Sequence, residues 1–163
     1  MSKSKIVGMM ALIVFAMGIV LVAKAVAGEI IKGRTAWVTT KWEQINVGDE
    51  KDHVVAVGEL KGINSIMQGK PFGDGWLSSA RFVWDFSPTI GANSNGYGAW
   101  SDKDGDKIYW KFNRKSSGVI EWSFYKGTGK FEGIQGKGTA SWVLTSEPTQ
   151  TYSDWDLEIE LPR

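Results

Sequence analysis

The sequence predicts an all-β protein: a single closed antiparallel β-barrel of about eight strands, with a β-sandwich as the alternative, behind a cleavable signal peptide. Three observations carry this prediction. Apolar residues recur with a period of two in one segment after another. Past residue 28 no segment sustains an apolar repeat at helical spacing. Short connections rich in glycine and aspartate separate the segments, as in a meander. A sheet of that size with one apolar face would leave two reactive edges, and closure removes them.

Residues 1–27 stand apart from this pattern. Lys3 and Lys5 make a short basic start, Ile6 to Ala23 is an uncharged apolar run, and Ala25-Val26-Ala27 offers small residues to a signal peptidase before Gly28. A run of that length also approaches what a membrane anchor needs, but the Ala-x-Ala site favours removal and no stable anchor after it. With no cysteine in the chain, no lipid can be attached through one and no disulfide can staple the fold. The expected address is the periplasm or the extracellular space. The remainder, 28–163, is the size of one domain with a real core. Without Lys3, Lys5 and Lys24 its basic residues number 16 against 18 acidic ones, a net charge of about −2. Nucleic acid is thereby excluded as a partner, because phosphate binding needs a concentrated basic surface.

The strands follow in order. Thr35 to Ile45 and His53 to Leu60 are strand-like without a clean alternation. In Ala80 to Phe86 the apolar set Ala80, Phe82, Trp84 and Phe86 alternates with Arg81, Val83 and Asp85. A further strand lies around Gly96 to Trp100. Ile108, Trp110 and Phe112 then alternate with Lys107, Tyr109, Lys111 and Asn113, and Ile120, Trp122 and Phe124 with Glu121, Ser123 and Tyr125. The same phase returns at Ala140, Trp142 and Leu144, and at Trp155, Leu157, Ile159 and Leu161 opposite four acidic residues.

Between these strands lie two motifs that invite a chemical reading. "DKDGD" presents Asp102, Asp104 and Asp106 at the spacing that begins a calcium loop, but Lys107 and Asn113 stand where an EF-hand needs its glycine and closing glutamate. The three are weak metal candidates, and an Asp-Gly hairpin turn accounts for the same residues. The glycine-rich "GTGKFEGIQGKG" at 127–138 matches neither a P-loop nor a dinucleotide fingerprint, since Phe131 and Gly138 occupy obligatory places of the first and Gly133 comes one residue late for the second. It reads as a turn at Gly127 and Gly129, a short strand from Lys130 to Ile134 with Phe131 inward, and a second turn at Gly136 to Gly138.

Together, "VGDEKDHVVAVGELKG", "SDKDGDKIYWKF" and "GTGKFEGIQGKG", in that order, resemble a group of small exported bacterial proteins whose domain is related to the allene oxide cyclase and dirigent-like barrels. The resemblance spans roughly Trp42 to Trp142. It implies an eight-stranded antiparallel barrel and does not carry over cyclase activity, because the plant enzyme's substrate pocket has no residue-by-residue match in this chain.

Residues able to do chemistry are few. His53 is the sole histidine, so zinc sites and Cys-His pairs lack ligands, and no cofactor is implied. His53 either starts its strand in solvent or lines a barrel mouth where, with Glu59, it provides an acid and a base. No Gly-x-Ser-x-Gly elbow accompanies it. The aromatics are the larger signal. Trp84, Trp110, Trp122 and Trp142 share the inward phase with Phe82, Phe86, Phe112 and Phe124, and they either fill a narrow barrel or line a cavity for a small hydrophobic molecule. Tyr97, Trp100 and Trp76 are candidates for its rim. Three functions remain open: a non-catalytic barrel binding a small hydrophobic ligand, an envelope protein-interaction module with a solid core, and an isomerase or cyclase using Glu59 or Glu121. Since Glu121 opposes Trp122 in the alternation, it is expected outside.

Overall fold

A computed structural model describes residues 29–116, 118–144 and 150–161. The leader expected at 1–27 lies outside the described residues. Eight strands follow one another: β1 (Glu29–Asn46), β2 (Val54–Gln68), β3 (Leu77–Ser87), β4 (Gly91–Ser101), β5 (Lys107–Arg114), β6 (Ile120–Gly127), β7 (Gln135–Leu144) and β8 (Gln150–Glu160). Each pairs antiparallel with its sequence neighbour, and β8 returns to pair with β1, from Glu29↔Ile159 to Val38↔Gln150. The sheet therefore closes into the barrel that the alternation predicts.

The two long strands that lacked a clean alternation have a physical reason for it. The β1–β2 register shifts between Lys32 and Gly33 and again between Thr39 and Lys41. At the second shift the extra residue, Thr40, belongs to β1 and moves the following side chains to the opposite face, so a single period of two cannot run through it; at the first the extra residue, Met67, belongs to β2, and Ile31, Gly33, Thr35 and Trp37 keep their phase. In β2 both faces are apolar in sequence, and the structure turns Ala56, Gly58 and Leu60 inward while Val57 faces out.

Inside, large rings sit beside glycines of the neighbouring strand. Gly98 pairs with Trp110, Gly138 with Trp122, Gly33 with Trp155 and Gly58 with Phe82. A Cβ at Gly98 would fall 2.1 Å from the Trp110 ring, and one at Gly58 2.4 Å from Phe82. Alternating large and small side chains is how a narrow barrel is filled without voids.

A meander brings alternate connections to the same end. At one end loop 69–76, the turn at 102–106 and a 3-10 turn, Gly129–Phe131, come together. Here the expected short strand at Lys130 to Ile134 is corrected. Gly129 adopts φ 53° and Gly133 φ 81°, and Phe131, Glu132 and Ile134 each donate their N–H to the carbonyl three residues back. Phe131 still points in, against Trp76 at 5.1 Å and Phe72 at 6.1 Å, and caps that end. Gly136 and Gly138 belong to β7 rather than to a turn, where they leave room for the rings of Phe124 and Trp122. Trp100 is a core residue and not part of a rim, Trp76 belongs to the cap, and Tyr97 and Leu161 are exposed, the latter beyond the last β8 pair.

Candidate functional site in the barrel lumen

The strands set the inner side chains in layers, and between them, with each of the eight strands contributing to the wall, they leave a cavity of about 50 Å³. That is room for about three or four water molecules. Its wall is aromatic and aliphatic, with Trp37, Trp100, Trp110, Trp122, Trp142 and Trp155 among its rings and the hydroxyls of Thr35 and Ser153 as the polar exceptions. No lining residue carries an ionisable side chain.

Two indoles of the wall have partners. Trp37 Nε1 donates to Ser153 Oγ at 2.8 Å, and Trp155 Nε1 donates to Thr35 Oγ1 at 3.0 Å, whose own hydroxyl passes on to Asn64 Oδ1 at 2.8 Å. The two indole bonds cross the β1–β8 seam and tie its strands together from within. Trp110 Nε1 and Trp122 Nε1 are buried and have no acceptor among the described residues.

Toward the uncapped end burial falls away. Phe82, Trp84, Phe112 and Trp142 are half-buried, and Trp42, on the part of β1 that runs past its last described β8 partner, is 44% exposed. Their rings form a path. Trp42 lies 5.6 Å from Trp84 and 6.1 Å from Phe82, Phe82 lies 6.5 Å from Phe112, and Phe112 lies 5.9 Å from Trp110, which in turn meets Trp122 at 6.3 Å. Of the four tryptophans singled out by sequence, Trp110 and Trp122 sit deep, Trp142 lines the cavity toward the mouth, and Trp84 stands at the mouth itself. Trp42, Trp37, Thr35 and Ser153 escaped the sequence reading. Thr35 and Trp37 do keep a period of two with Ile31 and Gly33, but a hydroxyl and a glycine in the apolar phase hide it.

His53 and Glu59 are not brought together. Glu59 lies on the outer face of β2, where its carboxylate accepts from Arg81 Nε at 2.9 Å and is held below its usual pKa by that bond. His53 precedes β2 at the mouth end, with Nδ1 2.6 Å from Asp49 Oδ1 and Nε2 3.0 Å from Asp85 Oδ1. Its pKa is raised, first by the Asp49 hydrogen bond. The arrangement braces the rim from outside. Glu121 is exposed, in the outward phase of β6.

The three aspartates of the "DKDGD" turn are already engaged. Asp102 Oδ1 accepts the backbone N–H of Asp104 at 2.9 Å and of Asp106 at 3.0 Å, while Lys130 forms ion pairs with Asp102 and with Asp104 at 2.8 Å. Lys103 and then Lys130 pull the Asp104 pKa down to about 2. The Lys130 ammonium thus occupies the position from which a cation would bridge Asp102 and Asp104, and it latches the hairpin turn to the cap. Among the described residues no group of three or more histidines, cysteines and carboxylates is placed to hold a metal ion.

No protein-family model and no curated protein matches the chain. Solved structures do. The pterocarpan synthase dirigent protein GePTS1 is 15% identical with a TM-score of 0.51, over 83% of this chain and 91% of that one. The corresponding PsPTS1 is 14% identical with a TM-score of 0.52, over 82% and 95%. A pyocyanin demethylase is 11% identical with a TM-score of 0.48, over 79% and 99%. At this level of identity the likeness is one of architecture, and the chain's closed eight-stranded barrel is similar in fold to the barrel of the dirigent proteins.

Proposed function

We propose that this protein is an exported, non-catalytic barrel that binds a small apolar molecule in its lumen, admitted at the end marked by Trp42 and Trp84. The observation that carries the reading is the apolar cavity continuous with a path of rings to a half-exposed mouth. Small-molecule sites are concave and mostly apolar with few polar groups, and this lumen shares that lining; at about 50 Å³ it takes in one end of a ligand whose body lies along the half-buried rings toward the mouth. The two dirigent proteins of like fold are named for pterocarpan synthesis, which gives a small-molecule role for such a barrel a precedent. Acid-base catalysis asks for a titratable group within hydrogen-bond reach of the reacting atom. The cavity wall offers none, and Glu59 and Glu121, on which an isomerase would depend, face away from it.

The test is a titration of the folded domain with a compact hydrocarbon such as α-methylstyrene. Saturable change in tryptophan fluorescence is expected, together with a rise in melting temperature, because a ligand that binds only the folded state at a hundred times its Kd adds about 2.7 kcal/mol of stability. A panel of apolar probes that changes neither quantity removes this reading and leaves the packed-barrel interaction module in its place.

A further inference from the structure

Resting on the lumen-binding reading, we propose that the ligand is a flat neutral aromatic molecule bearing a carbonyl-type oxygen, and that Trp110 and Trp122 recognise that oxygen through their indole N–H groups. The wall treats its tryptophans unequally. Thr35 and Ser153 supply acceptors to Trp155 and Trp37, whereas the N–H groups of Trp110 and Trp122, residues more than nine-tenths buried, have none among the described residues. A buried donor without a partner is destabilising, and native proteins leave few of them. Both rings line the same cavity, in edge-on contact at 6.3 Å between centroids. Two buried donors with no partner among the described residues, on rings that line one largely apolar cavity, mark an acceptor as what is missing beside them.

The remaining chemistry narrows the class. No lysine, arginine or histidine lines the cavity, so a carboxylate or phenolate would lose its hydration without gaining a counter-charge, at a large cost in binding. A neutral carbonyl avoids that loss. Its oxygen has two lone pairs and serves either indole or both. Around the oxygen, the ring path from Trp42 through Phe82 and Phe112 offers offset and edge-to-face contacts to a flat aromatic body.

Acetophenone and α-methylstyrene have nearly the same shape and differ in presenting C=O or C=CH₂, so the pair isolates the acceptor. In the ¹⁵N-labelled wild-type domain, acetophenone is expected to shift the Trp110 and Trp122 indole N–H resonances downfield, and α-methylstyrene to bind without doing so. Trp110→Phe and Trp122→Phe should each weaken acetophenone about tenfold more than they weaken α-methylstyrene, the difference expected for one lost hydrogen bond. Benzoate should not bind. The wild-type resonances carry the test if either variant fails to fold. If both probes bind and neither moves the N–H signals, water or a neighbouring ring face serves the two donors, and this proposal falls while the apolar lumen stands. If neither probe binds, the lumen reading itself falls and takes the proposal with it.

Discussion

His53 is contacted at both ring nitrogens by carboxylates, Asp49 and Asp85, and with Glu50 also near, the imidazolium form is the one this rim favours. Its pKa is raised above the ordinary imidazole value and that of Asp49 is lowered, each first through the hydrogen bond to the other. A raised pKa in the folded state means that the stabilisation is fully present below about pH 6.5 and is lost as pH rises through the folded value. At the acid end it fades when the carboxylates take up protons. The melting temperature should therefore fall more on His53→Gln at about pH 5.5 than at about pH 9, and an equal fall at both would show that the charge is not used. Lys130 supports a second expectation. Because its ammonium already bridges Asp102 and Asp104, millimolar calcium should leave the melting temperature of the domain nearly unchanged. A rise of several degrees, abolished by Asp104→Ala, would make the turn an ion site.

At the scale of the strand, glycine is used as the small partner of a ring. Gly98 and Gly138 lie within β4 and β7, where an alanine ordinarily stabilises by about 0.5–1 kcal/mol. Here the sign should reverse. A Cβ at Gly98 would stand 2.1 Å from the Trp110 ring and 2.5 Å from the Ser79 carbonyl, and one at Gly138 would stand 1.9 Å from the Asp156 carbonyl. Either the strand or the ring must move, and overpacking of this kind costs about 1–3 kcal/mol. Chemical denaturation of Gly98→Ala and Gly138→Ala should report losses in that range, and a gain at either site would mean that the ring beside it is free to yield.

Across the whole molecule, closure between β1 and β8 gathers rings from distant parts of the chain into one core. Trp122 meets Trp100, Trp110, Phe124 and Trp155 within it. Trp122→Ala should destabilise the domain by about 3–5 kcal/mol, the range for large buried aromatics, as read from equilibrium unfolding; a loss under about 1 kcal/mol would mean that the site collapses around the missing ring. The proposed export is likewise tested on the whole chain. Mature protein recovered outside the cytoplasm should begin at Gly28 by mass spectrometry, and an intact Met1 terminus in the membrane fraction would make the leader an anchor.

The sequence by itself determined the barrel, because side chains on a pleated strand alternate without reference to anything distant: β5 and β8 keep one phase, β3 keeps it from Ser78 to Trp84 and β6 from Ile120 to Phe124, and each was legible as written. The inward set of aromatics followed from the same local rule. What only the tertiary structure decided was everything that depends on a neighbour. The bulge of β1 at Thr40 changes its phase midway, the two apolar faces of β2 are equivalent until β3 and the core choose between them, and Lys130 to Ile134 satisfies a strand and a 3-10 turn equally well in five residues. The site belongs to this second category. Trp110, Trp122 and Trp155 are alike in sequence, each an inward tryptophan, and whether an indole N–H meets a hydroxyl is settled by which strand lies across from it after closure. Hydrogen bonds act over about 3 Å, and no local pattern in the chain encodes which groups will come that close.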